Sequence, residues 1–185
     1  MIIEKICDYV IEIIDDREYS ENSTDNIIIY KNIYKTDDER ISTKYGIVIK
    51  DKNNQILSSA IMLASGGATG IHEKSYIIEK NRILLLCVSN WLFSLTIPTL
   101  ELNWKKEIDS VSAFGIYKMN DDYIVHGELE ISRININGTI IWQNSGSDIF
   151  VLPKGINNFY IEDNKIFTQS WDERKYCFTY EGKIT

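Results

Sequence analysis

The sequence predicts a mostly β protein: one domain of tandem antiparallel meander units, each about 40 residues long, with a short helix at the N-terminus. Three observations predict it. Ile, Val, Tyr, Phe and Trp dominate the apolar residues, and these side chains fit a pleated, half-buried surface. From Ile27 onward, short apolar stretches alternate with Asn, Asp and Gly, as strands alternate with turns. Finally, these stretches resemble one another at a regular spacing.

Residues 1–18 place Ile3, Ile6, Val10, Ile13, Ile14 and Arg17 at helical spacing with acids between them, which predicts an amphipathic helix. The run Tyr9–Ile14 is equally rich in β-branched residues and suits a strand as well. Ser20–Asn26 is polar and turn-rich, hence a loop. Strands are then expected at Ile27–Tyr34, Tyr45–Lys50, Gln55–Leu63, Tyr76–Glu79, Ile83–Val88, Trp91–Ile97 and Leu100–Trp104. They continue at Gly115–Lys118, Tyr123–Gly127, Leu129–Ile136, Thr139–Gln143, Asn158–Glu162, Lys165–Ser170 and Tyr176–Tyr180. Asn53-Asn54, Asn120-Asp121-Asp122 and Asn137-Gly138 supply hairpin turns, since Asn and Gly tolerate positive φ. In Leu129–Ile136 the apolar parity changes between Ile131 and Ile134, so a bulge or tight turn is expected near Ser132-Arg133.

The repeat is visible residue by residue. Tyr76–Leu84, Gly115–Val125 and Phe159–Phe167 each read as strand, Asn/Asp-rich turn, strand. Leu100–Trp104 matches Gly138–Trp142, and Phe178–Ile184 echoes Ile134–Ile140. The units run approximately 27–70, 71–111, 112–152 and 153–185, after an N-terminal segment 1–26. Each is a small sheet that hides its apolar face only against a neighbour, which explains their tandem arrangement.

Two strands, an Asn/Asp turn, an apolar strand, Gly and a closing Trp resemble a blade of the quinoprotein-type β-propellers, across roughly residues 71–185. The resemblance implies a partial or distorted propeller, or an open twisted meander. About three and a half units are countable, whereas a propeller ring takes at least about four blades. The cofactor-binding residues of the quinoprotein enzymes have no counterparts, so no cofactor and no such activity carry over.

Composition narrows the function classes. With 185 residues, 44% hydrophobic and 25% charged, the chain can bury a core of ordinary size. Its net charge of −7, with no basic stripe, argues against nucleic acid and anionic membrane and favours a basic protein partner. Acidity also serves solubility alone. Cys7, Cys87 and Cys177 are odd in number and far apart, which suggests reduced structural thiols rather than a disulfide framework or zinc site. No signal-like start and no spanning apolar run is present, so the cytoplasm is the expected compartment.

Candidate sites are few. The loop Ala64–Lys74 carries Gly66, Gly67 and Gly70 with Ser65 and Thr69, and its amides could face an anion. It lacks the Lys-Ser/Thr ending of a phosphate loop, and a wide connection between units explains it equally. Thr69 and His72 are its candidate binding residues. Strand alternation would put His126, Glu128 and Glu130 on one face, where a metal or shared proton is conceivable, yet no ligand set completes it. Asp109 and Asp148 occupy matched positions and read as turn caps. Trp104 and Trp142 read as core markers of the repeat, while Trp91 and Trp171 fall outside it and are candidates for a contact surface.

These features favour a non-catalytic protein-binding module. In size, charge and compartment the chain resembles bacterial toxin-immunity proteins, which bind and block a basic toxin; no motif carries that likeness. A hydrolase or sugar-active enzyme using His126, Glu128 and Asp148 is the alternative, and a structural module of a propeller assembly is a third.

Overall fold

Short stretches of β-branched and aromatic residues, closed off by Asn, Asp and Gly turns, build four successive sheets in a computed structural model that describes residues 1–37, 40–67, 69–80, 82–153 and 158–185. The first sheet contains β1 (Ile2–Ile6), β2 (Tyr9–Asp15), β3 (Asn32–Lys35), β4 (Thr43–Lys50) and β5 (Ile56–Ala64), in the order β1-β2-β4-β5-β3. The second is a meander of β6 (Tyr76–Ile78), β7 (Ile83–Val88), β8 (Trp91–Thr96) and β9 (Leu102–Glu107). The third repeats it with β10 (Ala113–Met119), β11 (Asp122–Gly127), β12 (Glu130–Ile134) and β13 (Ile140–Ser145). The fourth has β14 (Phe159–Glu162), β15 (Lys165–Gln169) and β16 (Lys175–Thr179), with a further bridge from Phe178 to Ile184.

The N-terminal helix is not formed. Residues 2–15 make a hairpin, turning at Cys7-Asp8 with Cys7 at φ 50°, and β2 pairs antiparallel with β4. The β-branched run Tyr9–Ile14 decided the matter: paired with Tyr45–Lys50 it buries Ile11 and Ile13, which an isolated helix could not do. The strand expected over Ile27–Tyr34 is also shorter, since only Asn32–Lys35 pairs, in parallel with β5, while Ile27 and Ile29 lie exposed.

The sheets stack through three apolar layers. Ile47, Ile49 and Met62 of the first meet Leu84, Leu86 and Phe93 of the second. Leu85, Cys87 and Leu92 of the second meet Ile116, Tyr123 and Ile134 of the third. Ile124 and Ile131 of the third meet Phe159, Ile166 and Phe178 of the fourth. A further cluster covers the other side of the first sheet, where Tyr19, Tyr30, Ile28 and Ile41 of the intervening segments pack on Val48, Ile61 and Leu63. Among the described residues, no apolar cluster joins the first sheet to the fourth.

This stacking explains the parity change in the third sheet. Ile131 faces the fourth sheet and Ile134 the second, because both faces of β12 are covered. A register shift at Arg133/Ile134 accompanies the change. Residues 128 and 129 are a bend before β12, so Glu128 and His126 do not share one strand face, contrary to the alternation read from the sequence.

The repeat is locked by its tryptophans. Trp104 of β9 donates Nε1–H to the Ile136 carbonyl at 2.9 Å, in the β12–β13 turn of the next sheet. There Asn135 Oδ1 accepts the amides of Asn137 and Thr139, and Gly138 adopts φ 82°. Between the first two sheets Tyr34 takes the equivalent part, donating its hydroxyl to Leu100 O at 2.8 Å in the β8–β9 turn.

Candidate functional site

The segments that join strands at one end of the array are themselves stitched together by backbone hydrogen bonds. Gly67 N donates to Val111 O, Ala113 N to Ser89 O, Glu128 N to Ser112 O, Phe150 N to Glu128 O, and Trp171 N to Ile149 O, all within 2.6–2.9 Å. The relay carries across all four sheets, so side chains from distant parts of the chain gather on one end.

Asp109 anchors it. Only 2% exposed, its Oδ1 accepts the amides of Val111 and Ser112 at 2.7 and 3.1 Å, and its Oδ2 those of Leu129 and Glu130 at 2.8 and 2.9 Å. Asn90 Nδ2 donates to the Asp109 carbonyl and to Glu107 Oε1, each at 3.0 Å. Burial, and then the charges of Asp109 and Glu107, raise the Glu130 carboxyl above its ordinary pKa. Asp148 is no counterpart of Asp109. It is exposed and, among the described residues, accepts the amide of its neighbour Ile149 at 2.8 Å.

His126 is a core residue. It is 6% exposed, its ring stacks on Phe159 at 4.6 Å between centroids and meets Phe114 edge-on, and Nε2–H donates to the Phe150 carbonyl at 3.2 Å. Burial lowers its pKa to about 4, so the imidazole is neutral. Glu128 stands half-buried on the bend after β11 and Asp148 on the surface, so His126 turns into the apolar layer while the two carboxylates lie on connecting turns.

The glycine-rich loop is a packed connection. Its Gly67 amide points inward to Val111, Ser42 Oγ donates to Gly66 O at 2.7 Å, and Ser89 Oγ to Gly67 O at 3.2 Å. Ala68 lies outside the described residues. Thr69 and Gly70 sit beside the hydroxyl of Tyr45, whose pKa burial raises. His72 is exposed on the turn before β6, with Nδ1 accepting the Lys74 amide at 3.2 Å. Among the described residues no group of three or more His, Cys, Asp or Glu is placed to hold a metal ion.

The two tryptophans outside the repeat part ways. Trp91 packs half-buried against the first interlayer, with Lys105 Nζ 5.6 Å over its ring, rather than on an open surface. Trp171 is 54% exposed. It borders a shallow pocket of about 350 Å³ lined with Leu152, Pro153, Gln169 and Glu173. Ser147 Oγ and Ser170 Oγ donate to the Asp172 carboxylate and hold its pKa down. Since Trp171 N bonds Ile149 O and Phe150 N bonds Glu128 O, the segment of Trp171 shares this end with those of Glu128, Asp148, Asp172 and Glu173; Arg174, paired with Asp172 at 3.3 Å, is a neighbouring cation. An exposed indole on an end that also carries acidic residues suits a cationic side chain, which gains both ring-quadrupole attraction and ion pairing.

Sequence reasoning singled out Trp171, Glu128 and Asp148 but not their neighbourhood. The signals it missed are the serines 147 and 170, ordinary in sequence, which fix Asp172 through contacts between the third and fourth sheets.

Comparison with known proteins bears on the fold. No protein-family model matches the chain, and no curated protein matches it. Among solved structures, the computationally designed Ika8 protein superposes with a TM-score of 0.51 and 10% identity, over 80% of this chain and 45% of Ika8. The designed Ika4 protein gives 0.48 and 11% identity, over 65% of this chain and 78% of Ika4. The WD40 domain of Neurospora crassa Pan2 gives 0.47 and 12%, over 60% of this chain and 36% of that domain. The fold itself, sixteen strands in four stacked sheets among the described residues, is all-β and propeller-like. Among the described residues no helix is long and apolar enough to cross a membrane, which says nothing of β-barrels.

Proposed function

We propose that this protein is a non-catalytic binding module that captures a basic protein segment at the end of the array bearing Trp171. The observation that carries the reading is the exposed Trp171, which lines a pocket with Glu173 and is joined through its backbone to the segment that carries Asp148. Rigid stacked sheets with joined connecting segments make a preformed surface, so little ordering cost opposes binding. The net charge of −7 steers a cationic partner toward it. A basic toxin held in check by this surface is the sharpest form of the proposal, and a cytoplasmic location accords with three free thiols.

The test is calorimetric titration with arginine-rich peptides at low and at physiological salt. Binding is expected to weaken as salt rises. Trp171→Ala and the charge reversal Glu173→Lys are each expected to reduce it about tenfold. Equal binding by wild type and Trp171→Ala, or no binding at low salt, defeats the proposal.

A further inference from the structure

The β1–β2 turn and the β6–β7 turn meet at the margin of the layer between the first two sheets, where they border a cavity of about 290 Å³. Its apolar wall is Ile6, Tyr9, Ile78 and Ile97, all of which belong to that layer. Successive strands of the second sheet run in opposite directions, so the β6–β7 turn lies at the other end of the sheet from Ser89 and Asn90. Those two residues belong to the backbone relay beside Asp109. The cavity and Trp171 are therefore at opposite ends of the array.

The rim of the cavity is cationic. Lys80 and Arg82 both line it and are exposed, and among the described residues neither is paired with a carboxylate. The acids nearby are engaged elsewhere. Glu79 also lines the cavity, but it accepts from Lys118 Nζ at 2.9 Å and from the Tyr123 hydroxyl at 2.7 Å, both on the third sheet. Glu4, two residues before Ile6, accepts from the Tyr76 hydroxyl. Asp8, next to Cys7, is not among the residues that line the space. Arg82 is held in position: its amide donates to Glu79 O at 3.0 Å, and its carbonyl accepts the Ile97 amide at 2.7 Å. Its guanidinium lies 5.7 Å from the centre of the Tyr9 ring, a favourable place for a cation.

We propose that this cavity binds a small amphipathic carboxylate, with its alkyl body against Ile6, Tyr9, Ile78 and Ile97 and its carboxylate at Arg82, with Lys80 beside it. An apolar wall alone suits any hydrocarbon. The two cations at its mouth select an anion, and the planar fork of a guanidinium matches a carboxylate with two parallel hydrogen bonds. Volume sets the size. At roughly 30 Å³ for each water-sized group, the cavity holds about ten non-hydrogen atoms. A medium-chain fatty acid such as octanoate has that size, and a ligand so small binds with a Kd of roughly micromolar to millimolar.

Titration of octanoate into the isotope-labelled full chain, followed by nuclear magnetic resonance, tests this. The amide signals of Cys7, Tyr9, Lys80 and Arg82 are expected to shift along one saturation curve, while those around Trp171 stay in place. Alkylation of Cys7 by iodoacetamide, followed peptide by peptide, is expected to slow as octanoate is added, and that of Cys177 to remain unchanged. Arg82→Gln is expected to raise the Kd about fivefold, and octan-1-ol to bind the wild type more weakly than octanoate by a similar factor. Arg82 is exposed, so the variant keeps the fold, which circular dichroism verifies. The proposal is overturned by the absence of a saturable shift at about 10 mM octanoate, or by shifts spread over the whole chain. Equal binding of octan-1-ol and octanoate, or an Arg82→Gln variant that binds like the wild type, overturns it as well. All of these readouts lie away from Trp171, so the basic-partner reading stands or falls separately.

Discussion

Trp142 lies on Gly182: a Cβ at residue 182 would fall 2.6 Å from the indole, and the same indole donates Nε1–H to Tyr180 O at 2.9 Å. The contact reproduces that of Trp104 with Gly138, where a Cβ would fall 2.7 Å from the ring. Both glycines adopt φ 82°. In the later turn Thr179 Oγ1 replaces Asn135 Oδ1, accepting the amides of Glu181 and Lys183 at 3.2 and 3.3 Å. One device, a tryptophan on the outermost strand of one sheet clamping a glycine turn of the next, thus recurs and sets the stacking distance.

Gly182→Ala meets both a positive φ and the indole plane. We expect a loss of about 2–4 kcal/mol in urea unfolding. Gly138→Ala should cost a similar amount, and an alanine tolerated at both positions would show that the clamp is not under compression.

Asp109 satisfies four backbone amides from two segments, which an amide side chain with one acceptor oxygen cannot do. Asp109→Asn should destabilise by about 2–4 kcal/mol, through buried amides left without acceptors. Hydrogen exchange should quicken at Leu129 and Glu130 or at Val111 and Ser112, whichever pair loses its acceptor.

Arg133 holds the third and fourth sheets together. Its Nε and a terminal nitrogen bind Asp122 Oδ2 at 2.8 and 2.6 Å, Nη1 donates to Tyr180 O at 2.9 Å, and the guanidinium lies 3.4 Å over the Tyr180 ring. Tyr180 Oη in turn donates to Asp122 at 2.8 Å. Arg133→Met leaves the Asp122 charge enclosed without its partner, at a cost of about 3 kcal/mol. Arg133→Lys keeps the charge but loses the planar fork, so it should recover only part of that. Chemical denaturation of both variants checks the ranking.

His126 makes stability depend on pH. Its folded pKa of about 4 lies below the ordinary histidine value near 6.5, so the unfolded chain takes up the proton first as pH falls. Stability is lost between about pH 6.5 and 4, by roughly 3 kcal/mol for this group, and the loss levels off below. Carboxylates also titrate in the lower part of that window, so the measurement is a comparison. Wild type should lose more stability from pH 7 to pH 4.5 than His126→Gln, and identical pH profiles would falsify the assignment of a buried neutral imidazole.

Much of the fold was legible because a two-residue side-chain period and turn chemistry are local. The strand positions from Tyr45 to Tyr180 follow the apolar runs, and the matched Trp104 and Trp142 do occupy equivalent surroundings. Where local signals conflicted, local reasoning failed. Residues 1–18 carried helical spacing and β-branched content at once, and only pairing with Tyr45–Lys50 separated them. The bulge expected near Ser132-Arg133 is present as a register shift at Arg133/Ile134, while the burial of that strand on both faces came only from the stacking.

The candidate site was less legible. Trp171 could be set apart from the repeat, yet its exposure and its proximity to Asp148 depend on the backbone bond from Trp171 to Ile149. Asp109 and Asp148 look equivalent in sequence and are opposite in structure, one enclosed by amides and the other open to water.

By itself the sequence determined most strand positions from Tyr45 onward, that they recur, and that the chain is acidic, because these are properties of neighbouring residues and of their sum. Tertiary structure alone decided which residues are covered: the first sheet capped, Tyr160 of the fourth exposed, and His126 enclosed while Trp171 is exposed. The physical reason is that burial belongs to pairs of surfaces, and a residue's partner surface comes from chain far away in sequence.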